Sequence, residues 1–335
     1  MRILDAAAVD ALIEDRMVLE AMRELFSLSP NQTGLARVDL THPTGWLRSL
    51  PAFIASLDLF GFKVLHRTEG VGMRYTIYVH RLSTGELIGI VDALQITNLR
   101  TGAVSAVATD YLAREDVEVA AIVGTGPIGR GQLRALELVR PADEIRVFAR
   151  TPVNRAEFVT EMSGFVAGHL VAASSLEEAI EDATLVTLAT KARAPVLLAK
   201  HLQPGMHVNS VGPASRDRVE IDPSLFSSFD RIVCDSADLV LAEAGDAHQA
   251  AMTHGLDSTR AEELSALVAR SAEGRRNEDE ITLFKSVGTG AQDLIVASHL
   301  LERAAVADIG TVVDDVNSVK PEVGALPTGG IGSAR

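Results

Sequence analysis

The feature that most constrains the fold is a glycine-rich segment at residues 119–131, with the sequence VAAIVGTGPIGRG. A short apolar run leads into Gly124, Gly126 and Gly129 at the spacing G-x-G-x-x-G, and a helical pattern follows. Glycine permits a tight turn and lets a pyrophosphate approach the backbone, while a helix N-terminus offers free N–H groups. Strand, turn and helix in this order predict a dinucleotide site. We expect Pro127 and Ile128, in the first turn of that helix, to belong to it.

The segments after residue 117 alternate between strand and helix patterns. Strands are predicted at 117–123, 145–149, 184–190, 206–211 and 230–235, with helices or loops between them. This alternation is typical of an α/β fold with a doubly wound parallel sheet. We therefore predict a Rossmann-type dinucleotide-binding domain over residues 114–289. Thr190, at the end of its third predicted strand, is assigned to the cofactor site.

The N-terminal third has a different pattern, which predicts an α+β domain over residues 1–113. Residues 1–30 have helical spacing, and residues 75–82 and 87–91 predict a hairpin around a turn at 83–86. A helix rich in alanine and valine follows at 97–112. A last helix, part of the segment 290–320, is expected to join this domain, and residues 321–335 are expected to form a flexible tail.

Composition excludes several classes of protein. The formal net charge of −14 argues against a nucleic-acid surface, which needs clustered Lys and Arg. Apolar runs fall short of the roughly 18 residues that a membrane span needs, and the acidic N-terminus does not resemble a signal peptide. The single cysteine, Cys234, predicts a buried thiol and a cytoplasmic location. No His/Cys spacing predicts a metal site.

The residues after the second predicted strand bear on the choice of cofactor. Sites for NAD commonly place an acid there, which binds the ribose 2′-hydroxyl, but this chain has Arg150 and Thr151. An arginine beside a hydroxyl suits a 2′-phosphate. The sequence therefore favours NADP(H), with NAD(H) as the alternative if Arg150 only stacks on the adenine or lies in solvent.

Several motifs in a fixed order resemble the ornithine cyclodeaminase/μ-crystallin family over roughly residues 5–310. They are GFK at 61–63, TNLRTGA at 97–103, the glycine turn, NSVG at 209–212 with Glu220 following, and EITLFKSVG at 280–288. The resemblance implies a homodimer whose N-terminal domain supplies the substrate contacts and the dimer sheet. It also implies a small amino or imino acid bound beside a nicotinamide.

The resemblance further implies roles for individual residues. Lys63 matches the active-site lysine of the family, and Arg37 and Arg100 match arginines that hold the substrate carboxylate. The apolar neighbours of Lys63 are expected to lower its pKa by desolvation, although a lysine whose ammonium reaches water is the alternative. Arg100 lies in a helix of small residues and needs a partner, which is either a ligand carboxylate or a structural acid such as Asp92.

Two departures from the cyclodeaminase pattern favour the reductase and dehydrogenase branch. Ala214 stands where the cyclodeaminases have an aspartate, and Arg48 stands where they have a glutamate. Arg48 would repel the amine of ornithine and attract a carboxylate, which allows a dicarboxylate substrate. Asp217 is the nearest acid that could replace the missing aspartate, Asp293 is a candidate near the nicotinamide, and Asp246 is interpreted as a turn or helix cap.

The sequence thus predicts an NAD(P)H-dependent imine or ketimine reductase, or an amino-acid dehydrogenase, for a small anionic imino or amino acid. Two alternatives stay open. One is an ornithine cyclodeaminase with a recycled NAD, and the other is a non-catalytic protein that binds the nucleotide.

Overall fold

A computed structural model describes residues 1–28, 37–212, 215–270 and 274–314 of the 335-residue chain. Ala214 and the predicted tail at 321–335 lie outside these residues. The described chain forms two β-sheets with helices packed on them. In this part of the chain, no helix is both long and apolar enough to cross a membrane.

The first sheet is built from the N-terminal third of the chain. Strands β2 to β6 form an antiparallel meander, and β1 pairs in parallel with β6. The hairpin predicted around 83–86 is confirmed as β5 and β6. The bounds are β1 (Arg2–Leu4), α1 (Ala6–Leu12), α2 (Asp15–Ser27), β2 (Val38–His42), β3 (Gly45–Ile54), β4 (Leu59–Thr68), β5 (Gly72–Arg81), β6 (Leu87–Asp92) and α3 (Leu94–Leu112).

The second sheet is parallel throughout, as the alternation of strands and helices predicted. Within the described residues its order is β13-β12-β14-β11-β10-β7-β8-β9. The glycine turn follows β7, which lies inside the sheet. The bounds are β7 (Val119–Val123), α4 (Pro127–Glu137), β8 (Glu144–Phe148), α5 (Pro152–Met162), β9 (His169–Ala172), α6 (Leu176–Ile180), β10 (Leu185–Leu188), β11 (His207–Ser210), β12 (Arg231–Cys234), α7 (Ala237–Glu243), α8 (Gly245–His254), β13 (Ala261–Glu263), α9 (Leu264–Arg270) and β14 (Thr282–Lys285).

The last described segments of the chain return to the first sheet. Helix α10 (Gly290–Ala307) packs against β3, β4 and β5, and β15 (Thr311–Val312) pairs with β1. Strand β4 alternates accordingly, because Leu59, Gly61 and Lys63 are buried under α10 while Phe60 and Phe62 face the other side. In a strand with one face buried and the other less buried, every second side chain points into the core.

Helices α3 and α4 connect the two sheets through direct backbone contact. A Cβ added to Gly102 would lie 2.1 Å from the carbonyl oxygen of Gly131, and one added to Gly131 would lie 2.3 Å from that of Asn98. Buried Gln132 donates from Nε2 to the carbonyl of Thr101 at 2.8 Å. Only glycine permits this approach, which fixes α3 relative to the helix that begins at the glycine turn.

Five short strands do not appear among the predicted ones. They are β1, β9, β13, β14 and β15, each of two to four residues. The sequence of β13, Ala261-Glu-Glu, carries no apolar run because the strand lies at the edge of its sheet. The cysteine prediction is confirmed, since Cys234 is buried in β12 and burial raises the pKa of its thiol well above the ordinary value.

Gly131→Ala tests the contact between α3 and α4. The new methyl group would force the two backbones apart, and overpacking of this kind costs about 1–3 kcal/mol. We expect a melting temperature lower by several degrees, measured by circular dichroism. Gly164→Ala is the matched control, because nothing lies within 4 Å of its added Cβ. Equal melting temperatures for the two variants would contradict this account.

Candidate active site

The three glycines of the turn differ in what surrounds them. A Cβ on Gly124, where φ is +116°, would lie 2.3 Å from the carbonyl oxygen of Ala189, and one on Gly129 would lie 2.0 Å from that of Gly124. A Cβ on Gly126 would meet nothing within 4 Å. Gly124 and Gly129 thus serve the packing of the turn, whereas Gly126 leaves open space in front of α4.

The N-terminus of α4 is available to an anion. Gly126 is its N-cap and provides no side-chain hydrogen bond, and Pro127 begins the first turn, where Ile128 follows. The first N–H groups of such a helix lack partners within the helix and carry the positive end of its dipole. The turn and the helix together therefore fit the pyrophosphate of a dinucleotide.

Arg150 and Thr151 lie beside this turn. The N–H of Gly124 donates to the carbonyl of Phe148 at 2.9 Å, which brings the end of β8 to the glycine turn. Arg150 and Thr151 follow that end and are exposed, and Thr151 is the N-cap of α5 without a side-chain hydrogen bond of its own. Both side chains are therefore available where the fold places the adenosine ribose.

Lys63 and Arg100 meet at one carboxylate, that of Asp293. Lys63 Nζ donates to Asp293 Oδ1 at 2.9 Å, and Arg100 Nε donates to the same oxygen at 3.1 Å. Arg100 Nη1 also donates to Gln292 Oε1 at 3.1 Å. Asp293 is wholly buried, and its Oδ2 has no hydrogen-bond partner among the described residues. A buried acceptor without a partner can accept a hydrogen bond from a bound ligand.

The electrostatics of this cluster suit proton transfer. Burial lowers the pKa of Lys63 to about 8, and Arg100 lowers it as well, although Asp293 opposes the change. Burial alone would raise the pKa of Asp293, but the charges of Arg100 and Lys63 hold it below its ordinary value. Lys63 is therefore mostly a cation at neutral pH, with a pKa in the range where general acids work well. Its Nζ also lies 5.6 Å from the centroid of the Tyr75 ring.

Arg37 bridges the two halves of the molecule. Its Nη1 lies 2.8 Å from Glu243 Oε2, and its Nη2 donates to the carbonyl of Val287 at 2.9 Å and to that of Gly288. Arg100 also contacts this loop, since a Cβ on Gly288 would lie 2.7 Å from Arg100 Nη1. A substrate carboxylate would have to compete with these groups for Arg37.

Arg48 is bound by a carboxylate of the protein. On β3, its Nε and Nη2 donate to the two oxygens of Asp39 at 2.7 Å and 2.6 Å. Its charge also lowers the pKa of Glu243, which burial raises, so Arg48 lies near the partner of Arg37. The structure thus gathers the predicted arginines at one side of the molecule but gives each of them a protein acid.

Asp235 organises the loop between β14 and α10. Its carboxylate accepts hydrogen bonds from Ser286 Oγ at 2.7 Å, Gly288 N at 2.7 Å, Val287 N at 3.1 Å and Gln292 Nε2 at 3.0 Å. Because Gln292 in turn binds Arg100, this acid positions the arginine indirectly. Sequence reasoning missed Asp235, although an acid directly after an apolar strand was a usable signal.

Other acids considered from the sequence lie elsewhere. Asp92 accepts from the N–H of Leu94, and the structural acid that Arg100 contacts is Asp293 instead. Exposed Asp217 lies 3.0 Å from Arg193, whereas the described ion-pair partner of Lys63 is Asp293. Asp246, interpreted as a turn or helix cap, lies in the first turn of α8, where it is buried and 2.9 Å from the ammonium of Lys285. The local sequence could not show this pairing, because Lys285 comes from another strand.

Thr190 belongs to the same buried network as Asp246. It follows β10, and both its N–H and its hydroxyl donate to Glu220 Oε1, at 2.6 Å and 2.8 Å. The carboxyl ends of neighbouring parallel strands form the edge where doubly wound sheets bind their ligands. Thr190 therefore lies at the edge expected to hold the nicotinamide half of the cofactor.

Known proteins resemble this chain over most of its length. The sequence model of the Ornithine cyclodeaminase/mu-crystallin family matches residues 5–307. Delta(1)-pyrroline-2-carboxylate reductase of Paracoccus denitrificans is 32% identical over 85% of this chain and 91% of its own. Ketimine reductase mu-crystallin of Macropus fuliginosus is 30% identical over 76% of this chain and 79% of its own.

A solved structure has the same fold. Delta(1)-pyrroline-2-carboxylate reductase of Thermococcus litoralis, in complex with NADH and L-proline, superposes with a TM-score of 0.87. It is 31% identical and covers 93% of this chain and 100% of its own. The likeness therefore extends across both sheets and is not confined to the dinucleotide turn.

Proposed function

This chain belongs to the ornithine cyclodeaminase/mu-crystallin family, and we propose that it reduces small imino acids with a nicotinamide cofactor. The reverse reaction would oxidise an amino acid. The observation that carries the proposal is buried Lys63, held with Arg100 on Asp293. Helix α3, which carries Arg100, contacts α4 directly, and α4 begins at the glycine turn. A proton donor, an anion-binding group and a dinucleotide turn are thus connected by two helices.

Each residue of the site would have its own role in the reduction of a C=N bond. A bound reduced nicotinamide would supply the hydride that the imine carbon accepts. Lys63, as the ammonium, would donate the proton that the nitrogen accepts, so that the imine becomes an amine. Arg100 would bind the substrate carboxylate through charge-assisted hydrogen bonds. Asp293 would hold the ammonium and the guanidinium at a fixed separation.

We propose a cyclic imino acid such as pyrroline-2-carboxylate as the substrate. Several relatives that are 30% or more identical carry the names of pyrroline-2-carboxylate and ketimine reductases, and the Thermococcus structure is a complex with L-proline. A second carboxylate on the substrate would have to compete with Asp39 for Arg48. Dicarboxylic imines therefore belong in the same substrate panel as monocarboxylic ones.

The proposal is tested by a substrate screen that follows the absorbance of reduced nicotinamide. NADH and NADPH are each offered with cyclic ketimines, and with keto acids plus ammonia or methylamine. We expect turnover with the native protein and a loss of about a hundredfold or more in Lys63→Met, the scale of a general acid. Lys200→Met is the control, because that lysine is exposed and pairs only with exposed Glu177 among the described residues.

The same assay with ornithine added to the substrates distinguishes the two alternatives. Proline and ammonia formed from ornithine without net consumption of the cofactor would establish a cyclodeaminase. Nucleotide binding without turnover of any imine would favour a non-catalytic protein. Full activity in Lys63→Met would remove the role given to that residue.

The pKa of Lys63 predicts the pH dependence of imine reduction. Since Lys63 is protonated below its pKa of about 8, kcat/KM is expected to fall as the pH rises through that value. Asp293 raises the pKa of Lys63, so Asp293→Asn should move this fall to lower pH. Rates over a pH series check both points. An unchanged basic limb in Asp293→Asn would show that another group titrates.

We propose NADP(H) as the preferred cofactor, with support from the exposed pair Arg150 and Thr151 beside the glycine turn. Arg150→Ala should weaken NADPH binding by about tenfold or more, because a charge-assisted hydrogen bond contributes about 1.5–3 kcal/mol. NADH binding should change little. Fluorescence titration measures both constants. Arg155→Ala is the control, since Arg155 lies over the Phe148 ring at 5.3 Å. Equal losses for both nucleotides would favour NAD(H).

We propose that the protein is a homodimer and that the outer face of the first sheet forms its interface. This face carries a stack of rings: Phe60 lies 4.6 Å from His80 and 5.5 Å from Phe53, and Phe62 lies 4.8 Å from Tyr78, measured between centroids. Phe53 is 42% exposed. A contiguous aromatic patch on a sheet face is typical of a protein interface.

Phe62→Asp should convert the dimer to a monomer, because a charge buried in an apolar interface lacks a partner. Light scattering coupled to size-exclusion chromatography measures the mass. Val306→Asp is the control, since Val306 is 92% exposed and lies on α10, away from this face. A dimer that persists in Phe62→Asp would place the interface elsewhere.

For the location of the protein, the cytoplasm is our proposal. The one cysteine of the sequence is buried and forms no disulfide, which suits a reducing compartment.

A further inference from the structure

A buried network of charged groups lies at the carboxyl edge of the second sheet, apart from Lys63 and its partners. It contains Glu220, Lys285, Asp246 and Ser210, and all four residues are buried. Lys285 Nζ donates to Ser210 Oγ at 2.7 Å and to Asp246 Oδ2 at 2.9 Å. Asp246 Oδ2 also accepts from the N–H groups of Glu220 at 3.1 Å and Ile221 at 3.3 Å. Hydrogen bonds therefore connect all four residues into one network.

The Glu220 carboxylate links the ends of two strands. Its Oε1 accepts from Thr190, after β10, and its Oε2 accepts from Ser210 Oγ and from Gly212 N, both at 2.9 Å, at the end of β11. A Cβ on Gly212 would lie 2.4 Å from Glu220 Cδ, so only glycine fits above this carboxylate. The residues that follow both strands are thus tied to one acid.

The hydrogen-bond directions indicate that Glu220 is ionised. Lys285 can only donate, so Ser210 Oγ accepts from it and directs its own hydrogen at Glu220. The hydroxyl of Thr190 accepts from the N–H of Ala192 at 3.2 Å and likewise donates to Glu220. Each described partner of this carboxylate is a donor. Burial, with the charge of Asp246 adding to it, raises the pKa of Glu220, although Lys285 and the hydrogen bonds from Thr190 oppose that change.

The charges of this network do not cancel. Asp246 also has donors as its described partners, including Ala247 N at 2.9 Å, so two carboxylates face the single ammonium of Lys285. One negative charge remains in excess. Buried charges are poorly screened and act over longer distances than exposed ones. The network therefore contributes a negative potential at this edge.

We propose that Glu220 is a positioning residue for the nicotinamide and that its network favours the oxidised, cationic ring over the reduced, neutral ring. The inference rests on the proposed cofactor, whose nicotinamide half would lie at the ends of β10 and β11. Glu220 holds the residues of that edge, and the excess charge distinguishes the two redox forms. The preference has a consequence for catalysis, because the ring gains positive charge as an imine is reduced.

The test measures the dissociation constants of the oxidised and reduced nucleotide by fluorescence titration. Glu220→Gln keeps the shape of the side chain and removes its charge. We expect the ratio of the oxidised to the reduced constant to rise about fivefold or more, as the loss of one nearby buried charge implies. Asp246→Asn removes a charge from the same network and should shift the ratio in the same direction, which covers the case that Glu220→Gln does not fold.

Two further variants separate charge from structure. Glu220→Asp keeps the charge and should keep the ratio, even where lost hydrogen bonds weaken the binding of both forms. Glu280→Gln removes a buried carboxylate that pairs with Arg276 just before the amino end of β14, and should leave the ratio unchanged.

The outcomes separate this inference from the proposed function. If the native protein bound and used the cofactor but the folded charge-removing variants kept the native ratio, the inference would be overturned. Equal weakening of the binding of both redox forms would show that Glu220 has only a structural role. If the native protein bound neither redox form, the proposed function would fail first, and the inference would fail with it.

Discussion

The convergence of Lys63 and Arg100 on Asp293 is the interaction on which the site depends. Two buried cations would be strongly destabilising without an anion, and Asp293 is the acid that both contact. The three residues come from β4, α3 and the first turn of α10. The N-terminal sheet therefore acquires its central counter-ion from a helix near the other end of the chain. The same pairing opposes the loss of the Lys63 proton, because Asp293 raises the pKa that burial lowers to about 8.

The two sheets are connected by a close backbone contact between helices α3 and α4. Gly102 and Gly131 let α3 and α4 touch, so the helix that carries Arg100 is fixed to the helix that begins at the glycine turn. Two buried acids then organise the edge of the second sheet. Asp235 holds the loop that leads into α10, and Glu220 holds the ends of β10 and β11. Both acids act through other residues, and neither belongs to the Lys63 cluster.

Sequence reasoning worked best where periodicity is local. Five strands of the second sheet were found within about two residues of their observed ends because each is an apolar run beside a turn. It failed at β9 and β13, which are short and lie at the edges, and at β14, a short inner strand. It also assigned Arg100 a possible partner nearby in sequence, Asp92, whereas the observed partner lies 193 positions away. For Asp246 it found the helix turn but missed the pairing with Lys285, which comes from another strand.

The sequence by itself determined the glycine turn, the parallel sheet that carries it, the family, and the candidacy of Lys63. Each of these follows from short motifs or from a repeated local pattern. The tertiary structure alone decided that Lys63 pairs with an acid 230 positions away, and that Arg37 and Arg48 are bound by protein carboxylates. It also decided that Asp246 pairs with Lys285 and that Glu220 is linked to the same ammonium through Ser210. The physical reason is that the partner and the pKa of a buried charge depend on distances through space and on desolvation, which local sequence patterns do not encode.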